Sequence, residues 1–291
     1  MAEFNITNGV IFSPIETTPV PSDGGAYLFA KSRATRIMYG QVGPSGIDYT
    51  FQPALYANKV AYWNPPGNAT TAPGVFGLTT PTATGTATTR NVATTNLFTR
   101  TKRVGTVSSA TANNVAGYRV SVAQFTLGTG TLGGFSFVIR FGISDASLVA
   151  NARMFVGLRN TTTAPTNVDP GTITNCIGVG HSNGDTNLFL YYGGSAAQTP
   201  IDLGSNFPTN TTNTDLYELM IFANPYVSGE FNYRVERLGT NFIAEGTVTG
   251  TPGTQIPNST TLLTHNSFRT NNTTASAVGL DFISIYFETD Y

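Results

Sequence analysis

The side chains best suited to metal or nucleophilic chemistry are two histidines and one cysteine, which form no cluster with the spacing of metal ligands. His181 precedes Asp185 in the turn segment HSNGD, whereas His265 lies in a separate stretch rich in Thr and Asn. Zinc needs grouped His, Cys or acidic ligands. The oxygen-rich segments 167–169 and 183–185 leave a bound calcium ion open as an alternative, although they lack the spaced acids of an EF-hand loop. Cys176 lies in an apolar run, which indicates a buried thiol. We therefore predict no metal, no cofactor and no internal disulfide, and we interpret HSNGD as a structural or solvated loop.

Acidic residues on predicted strands are the second group with chemical potential. They are Glu218, Glu236, Glu245, Asp281 and Glu288. Glycoside hydrolysis needs two carboxylates that face each other across a groove, and the sequence has no cluster of alternating acids on one strand. Glu236 lies between Arg234 and Arg237, which indicates ion pairs. Nucleophile elbows, phosphate loops and dinucleotide fingerprints are also missing from the sequence. We therefore predict that the protein is not an enzyme, and we keep a glycan depolymerase as an alternative.

Aromatic residues beside turns offer a third kind of chemistry. Tyr191 and Tyr192 precede Gly193, and Tyr226 lies between Pro225 and Val227. An aromatic ring presents a flat face to a sugar, while a nearby carboxylate or amide bonds the sugar hydroxyls. We predict a glycan site that uses Tyr191, Tyr192, Tyr226 and Asp185. The alternative is that these tyrosines belong to the core or to a subunit interface.

The elements that would position these residues are β-strands. Phe135, Phe137, Ile139 and Phe141 alternate with other side chains, the pattern of a strand with one buried face. Further candidate strands are Leu97 to Val104, Gly117 to Leu127, Arg153 to Leu158, Ile173 to His181, Asn187 to Tyr192, Leu216 to Ala223, Phe231 to Leu238, Phe242 to Val248, Thr261 to Leu263 and Val278 to Phe287. Turn segments rich in Gly, Pro and Asn separate them. The pattern predicts an all-β fold, an antiparallel two-sheet sandwich of the jelly-roll type.

The region before residue 97 differs in composition. Residues 1 to about 20 indicate an extended arm, and Ala26 to Ala30 with Arg36 to Tyr39 indicate a small hairpin. We predict a docking region at 1–67, a Thr/Ala/Gly-rich linker at 68–96 and the sandwich at 97–291. The linker buries little by itself, which suggests an oligomer. Its interface residues would be Trp63, Tyr62, Val75, Phe76 and Leu78.

The charge balance limits the partners of the protein. Lys and Arg total 15 and Asp and Glu total 16, for a formal net charge of -1, and charged residues make up only 11% of the chain. We predict no nucleic-acid partner, because such proteins carry a strongly basic surface. The sequence has no apolar run long enough for a membrane span, and its first residues do not form a secretory signal. We expect synthesis in a cytoplasm without membrane insertion.

Several segments resemble structural proteins of tailed bacteriophages, of the tail-fibre or receptor-binding kind. They are PSDGGAYLFAKSRATRIMYGQVGPSG at 21–46, NKVAYWNPPGNATT at 58–71, FSFVIRFGISD at 135–145, NCIGVG at 175–180, YELMIF at 217–222, YRVERLGT at 233–240 and FISIYFETD at 282–290. From about Gly117 onward, the chain also resembles concanavalin-like lectin folds.

This resemblance implies a virion protein made in the cytoplasm of a host bacterium. Such proteins are commonly homotrimers that dock on other virion proteins through an N-terminal region and present a β-sandwich to the host. The expected function is therefore attachment to a bacterial surface glycan without catalysis. A capsid decoration or head-fibre protein is the alternative.

Overall fold

The computed structural model describes residues 14–15, 19, 25–42, 48–50, 59–65, 77–209 and 212–289. The chain divides into two compact units, Met1–Tyr56 and Ala57–Tyr291, which are described separately below. This division differs from the expected boundary at residue 67. The reason is that Lys59–Trp63 forms a strand that pairs within the second unit.

The first unit contains a four-stranded sheet. Its strands, in spatial order, are β1 (Pro14–Ile15), β2 (Tyr27–Arg33), β3 (Arg36–Val42) and β4 (Asp48–Thr50). Ala34 and Thr35 join β2 to β3 with φ angles of 48° and 61°, the left-handed values that a type I′ hairpin turn requires. The predicted hairpin is therefore confirmed. Apart from residues 14–15 and 19, the predicted arm lies outside the described residues.

The second unit is a sandwich of two antiparallel sheets. Its strands are β5 (Lys59–Trp63), β6 (Thr82–Thr84), β7 (Thr86–Thr89), β8 (Val104–Val107), β9 (Val115–Arg119), β10 (Phe135–Ile143), β11 (Arg153–Arg159), β12 (Cys176–His181), β13 (Phe189–Gly193), β14 (Ile201–Asp202), β15 (Tyr217–Ala223), β16 (Glu230–Arg237), β17 (Phe242–Thr249), β18 (Thr264–Thr270) and β19 (Gly279–Thr289). The eight-stranded sheet has the order β17-β16-β15-β10-β19-β8-β7, with β5 also paired to β19. The seven-stranded sheet has the order β14-β13-β12-β11-β18-β9-β6. The predicted all-β, antiparallel sandwich is confirmed.

The core lies between the two sheets and follows from the alternation along β10. Phe137, Ile139 and Phe141 are fully buried, whereas Arg140 between them points outward and is exposed. Burying one such apolar side chain stabilises the fold by about 1.5–3 kcal/mol relative to leaving it in water. The ring of Phe287 stacks on that of Phe125 at a centroid distance of 3.6 Å in the same core. The central strands therefore hold the sandwich together.

The segment Leu97 to Val104, predicted as one strand, is instead the short helix α1 (Leu97–Arg100) followed by β8. A capping box starts the helix: the Thr99 amide donates to Asn96 Oδ1 at 2.9 Å, and the Asn96 amide donates to Thr99 Oγ1 at 3.1 Å. Among the described residues, no helix has the length and apolarity needed to cross a membrane.

The most polar strand of the sandwich, β18, was predicted at the wrong residues. The sequence pattern placed a strand at Thr261 to Leu263, but β18 runs from Thr264 to Thr270 and is buried throughout. Its polar side chains are buried because they find partners. The Ser267 hydroxyl lies 2.7 Å from His265 Nε2, and the side-chain nitrogen Nδ2 of Asn266 donates to the Thr163 carbonyl at 3.1 Å.

The predicted linker and interface residues also lie in the sandwich where the structure describes them. Strands β6 and β7 belong to the segment 68–96 and pair with β9 and β8. Trp63 is only 1% exposed and Leu78 is 9% exposed, and both pack inside the core of the sandwich. Tyr62, the neighbour of Trp63 on the opposite face of β5, is 42% exposed. Val75 and Phe76 lie outside the described residues.

Candidate functional site

The segment HSNGD forms the reversal between β12 and β13. Gly184 has a φ of 84°, a left-handed value that suits glycine, at the tip of this turn. The Ser182 amide donates to Asp185 Oδ2 at 2.7 Å, which fixes that carboxylate against the turn. Asp185 is therefore held by the backbone that carries it.

Ser182 also binds a second carboxylate, from the loop between β11 and β12. Its hydroxyl donates to Asp169 Oδ1 at 2.5 Å. The same oxygen accepts from the Gly171 amide at 2.9 Å, because Asp169 caps a short 3₁₀ turn at Pro170–Thr172. Asp169 Oδ2 lies 3.5 Å from Arg153 Nη2. Asp169, Ser182, Asp185 and Tyr191 are called the Ser182 cluster below.

Tyr191 lies beneath the two carboxylates. Its hydroxyl is 3.2 Å from Asp185 Oδ2 and 3.3 Å from Ser182 Oγ. Burial raises the pKa of this hydroxyl, so it remains a proton donor. Its ring is 3% exposed and belongs to a small core on the outward face of the seven-stranded sheet, formed by Phe155, Ile173, Cys176, Tyr191 and Phe268. Tyr191 therefore positions Asp185 and has no ring face left for a ligand.

A buried network of Asp145, Arg269 and His181 holds the first residues of the HSNGD turn in place. The Arg269 guanidinium contacts both oxygens of Asp145, with Nη2 at 2.6 Å from Oδ2, and its Nη1 lies 2.8 Å from His181 Nε2. Since arginine only donates, His181 Nε2 accepts, and Nδ1 carries the proton that is donated to the Ser182 carbonyl at 3.1 Å. Burial, with the nearby Arg269 charge, lowers the pKa of His181 to about 3. His181 is therefore neutral.

The Ser182 cluster retains unused hydrogen-bonding capacity. Among the described residues, Asp185 Oδ1 accepts no hydrogen bond, and Asp169 Oδ2 has only the long contact with Arg153. The half-buried ring of Phe189 lies on the same face of the sheet as Tyr191, with 6.4 Å between the two ring centroids. Two carboxylates and a partly open ring on one face of the sheet suit a ligand with hydroxyl groups and an apolar face. Within the described ranges, no group of three or more His, Cys, Asp or Glu could hold a metal ion.

The predicted glycan residues do not form one site. Tyr191 and Asp185 come together in the Ser182 cluster. Tyr192 points inward, where its ring packs edge-on against Phe231 at 6.0 Å. Tyr226 is 70% exposed but follows β15, whose last residue pairs with the first residue of β10, at the opposite end of the sandwich. Tyr191 and Tyr192 point to opposite faces of the sheet because side chains alternate along a strand. Tyr226 is distant from both because it lies at the other end of the sandwich.

Asp169, Ser182 and Phe189 were not predicted as site residues. Both loops of the cluster are visible in the sequence as oxygen-rich segments, 167–169 and 183–185. Strand pairing alone places them apart: the loop after β11 leaves at the Arg159–Cys176 end of the sheet, whereas the turn after β12 lies at the Met154–His181 end. They meet because the long loop 160–175 folds back along the sheet until Asp169 reaches Ser182 and Arg153.

The acidic residues considered for hydrolysis are engaged in pairs. Glu218 and Glu236 are direct partners across β15 and β16, but Arg140 Nε lies 2.7 Å from Glu218 and Arg234 Nη1 lies 2.6 Å from Glu236. Glu245 lies 3.5 Å from Arg234, Asp281 binds Arg90 and Arg103, and Glu288 accepts from the Tyr286 hydroxyl. Glu218 and Glu236 can therefore lie side by side because each carboxylate has its own arginine partner.

The fold is similar to solved lectin structures, whereas the sequence matches no protein-family model and no curated protein. Lectin II from Ulex europaeus superposes with a TM-score of 0.50 and 10% identity, covering 80% of this chain and 98% of that chain. A protein of unknown function from Shewanella oneidensis MR-1 superposes with a TM-score of 0.47 and 15% identity, covering 79% of this chain and 87% of that chain. The carbohydrate recognition domain of Emp47p superposes with a TM-score of 0.47 and 10% identity, covering 79% of this chain and 95% of that domain. The sandwich therefore has a concanavalin-like, legume-lectin-like fold.

Proposed function

We propose that the sandwich binds a glycan at the Ser182 cluster, without catalysis. The observation that carries this proposal is the pair of carboxylates, Asp169 and Asp185, held by one serine, with Asp185 Oδ1 unbonded among the described residues and Asp169 Oδ2 in only a long contact with Arg153. Hydrogen bonds from sugar hydroxyls to ionised carboxylates are stronger than those to neutral acceptors. The lectin II similarity supports the proposal at the level of fold.

The ring of Phe189 would supply the apolar contact of this site. It lies in β13 on the outward face of the seven-stranded sheet and is half-buried. The apolar face of a pyranose packs on such a ring while its hydroxyls reach the two carboxylates. Exposed Asn183, at the tip of the turn, adds an amide. The site then reads both the shape and the hydroxyl pattern of one sugar unit.

The biological setting that we propose is a bacteriophage particle. The sequence resemblance to tail-fibre and receptor-binding proteins supports a virion protein, a homotrimer that docks on other virion proteins through its N-terminal region. The glycan would then belong to the bacterial surface, and binding would attach the particle to its host. Antibody-gold labelling of purified particles tests this setting. Label on the tail supports attachment, whereas label over the head would favour capsid decoration.

Binding of the full chain to purified bacterial surface polysaccharide tests the proposed site. Asp185→Asn keeps an oxygen for the Ser182 amide but removes the charge, and we expect an affinity loss of about tenfold or more. Glu230→Gln, at the start of β16, is the matched control and should bind as the unchanged protein does. Equal affinities of Asp185→Asn and the control would exclude the Ser182 cluster as the site. Failure of the unchanged protein to bind cells or polysaccharide would overturn glycan attachment altogether.

A further inference from the structure

Two arginines lie close together on the outward face of the seven-stranded sheet, far from the Ser182 cluster. Arg119 ends β9 and pairs directly with Asn266 of β18, and Arg159 ends β11 on the other side of β18. Side chains at 119, 159 and 266 share the face that carries Phe155 and Phe268, because residues two apart on a strand point the same way. The two guanidinium groups therefore flank Asn266.

Hydrogen bonds fix both groups against one short loop. Arg119 Nε donates to the Thr162 carbonyl at 2.9 Å. Arg159 Nη1 donates to Asn266 Oδ1 at 3.4 Å, and the Asn266 amide donates to the carbonyls of Thr161 and Thr163 at 3.3 and 3.1 Å. Each arginine uses only one of its nitrogens in these bonds. The remaining N–H donors of both side chains have no acceptor among the described residues.

Neither arginine has an acidic partner in the described part of the chain. The ion pairs of the sandwich use Arg90, Arg103, Arg140, Arg153, Arg234, Arg237 and Arg269. Arg159 Nε is buried without any acceptor. Burial lowers the pKa of Arg159, which reflects the cost of holding an unpaired charge out of water. A half-buried cation of this kind is stabilised by an anion from outside.

We propose that Arg119 and Arg159 form a binding site for an oxyanion, and that the oxyanion is an acidic group of the glycan. This assignment of the ligand rests on the proposed function. A guanidinium group offers paired N–H donors that match the two oxygens of a carboxylate, a sulfate or a phosphate. The half-buried Thr161 and Thr162 and the exposed Thr163 surround the site with hydroxyl groups, which suit the hydroxyls of a uronic acid. The ligand class is therefore an acidic polysaccharide.

Titration of the full chain with tetraglucuronate, its carboxyl-reduced form and inorganic phosphate tests this inference. Calorimetry measures saccharide affinity, and spectra of protein labelled with ¹⁵N-arginine follow the Nε–H signals of Arg119 and Arg159. We expect tetraglucuronate to bind at least tenfold more tightly than its reduced form. Arg119→Gln and Arg159→Gln should each abolish that difference, whereas Arg100→Gln, at an exposed arginine of α1, should preserve it.

The outcomes separate this inference from the proposed function. Equal binding of the two saccharides would overturn the oxyanion site while carbohydrate binding stands. Phosphate-induced shifts of both Nε–H signals, without saccharide binding, would support the oxyanion site and count against a saccharide as its ligand. No response of either signal to tetraglucuronate or phosphate would overturn the oxyanion site. Thermal melts of the variants, matched to the unchanged protein, show that a lost affinity is not a lost fold.

Discussion

The arginines at the two ends of the sandwich differ in their partners. At one end, where β10 and β12 finish, five arginines meet carboxylates: Arg90 and Arg103 bind Asp281, Arg153 binds Asp169, Arg237 binds Asp215 and Arg269 binds Asp145. At the other end, where β9 and β11 finish, Arg119 and Arg159 meet only carbonyl and amide oxygens. The first kind of arginine organises the protein, and the second kind leaves its charge for a ligand.

The difference follows from the cost of burying charge. Asp145 is 1% exposed and Arg269 is 1% exposed, so the loss of either partner would leave the charge of the other buried without compensation. The pair also orients His181, whose proton bonds the Ser182 carbonyl. Arg159 is less buried and keeps contact with solvent, so its unpaired charge is tolerated without a carboxylate. Removing an arginine should therefore lower the stability of the fold at the paired end, and leave it unchanged or raise it at the unpaired end.

Arg269→Met gives the largest expected effect. The substitution leaves Asp145 buried without its cation, and we expect a loss of about 3–5 kcal/mol in the free energy of unfolding. For a domain of this size, the melting temperature falls by roughly 2–4 °C per kcal/mol. Denaturant unfolding measures the loss. A change below about 1 kcal/mol would show that the paired end is no more sensitive than an exposed ion pair.

Acid sensitivity is the second prediction. The pKa of His181 and that of His265 are each lowered by burial to about 3, against about 6.5 in the unfolded chain. The unfolded state therefore binds more protons between these values, and stability falls as the pH drops from 6.5 toward 3. We expect a loss of about 2 kcal/mol per histidine by pH 5. Denaturant unfolding at pH 7 and pH 5 checks this.

His181→Gln is the matched variant for the acid measurement. A neutral amide in place of the imidazole should remove about half of the pH dependence. Equal stability of the unchanged protein at pH 7 and pH 5 would contradict neutral, buried histidines.

Tyr191→Phe should have a smaller effect. It removes one hydroxyl from the Ser182 cluster and leaves the ring in its packed position, so we expect about 1 kcal/mol of lost stability. Because Asp185 loses a positioning bond, saccharide affinity should fall severalfold. Tyr226→Phe, at the exposed tyrosine of the opposite end, serves as the control for both measurements. An equal loss of saccharide affinity in Tyr191→Phe and Tyr226→Phe would show that binding does not depend on the Ser182 cluster.

Arg159→Met gives the smallest expected change in stability, and its sign matters. Replacing an unpaired, half-buried charge by an apolar chain of similar length should be neutral or stabilising by up to about 1 kcal/mol. Thermal melts of Arg159→Met and Arg269→Met in the same buffer make the comparison. A loss comparable to that of Arg269→Met would mean that Arg159 also organises the fold.

The sequence predicts the fold well where apolar side chains alternate. Phe135 to Phe141 indicate a half-buried strand at once, and β10 lies at the centre of its sheet. The same rule fails for β18, because Thr264, His265 and Asn266 are buried through hydrogen bonds that the pattern of apolar residues does not reveal. A strand of polar residues looks like a loop until its neighbours are known.

The site was predictable only in fragments. The chemistry of Asp185 and Tyr191 predicts both as site residues, and the two side chains do meet. Tyr192 does not reach the site because side chains alternate along β13: Tyr191 points to the outward face and Tyr192 points into the core. Asp169 comes from a loop that starts at the opposite end of β11 and folds back along the sheet to reach Ser182. The path of such a long loop is decided by tertiary structure and leaves no local signal in the sequence.

The most direct test of glycan binding at the Ser182 cluster is a crystal structure with the saccharide that binds most tightly in solution. We predict a sugar unit packed against Phe189, with its hydroxyls bonded to Asp185 Oδ1 and Asp169 Oδ2. Saccharide density confined to another surface, such as the one around Tyr226, with the Ser182 cluster empty, would contradict the proposed site.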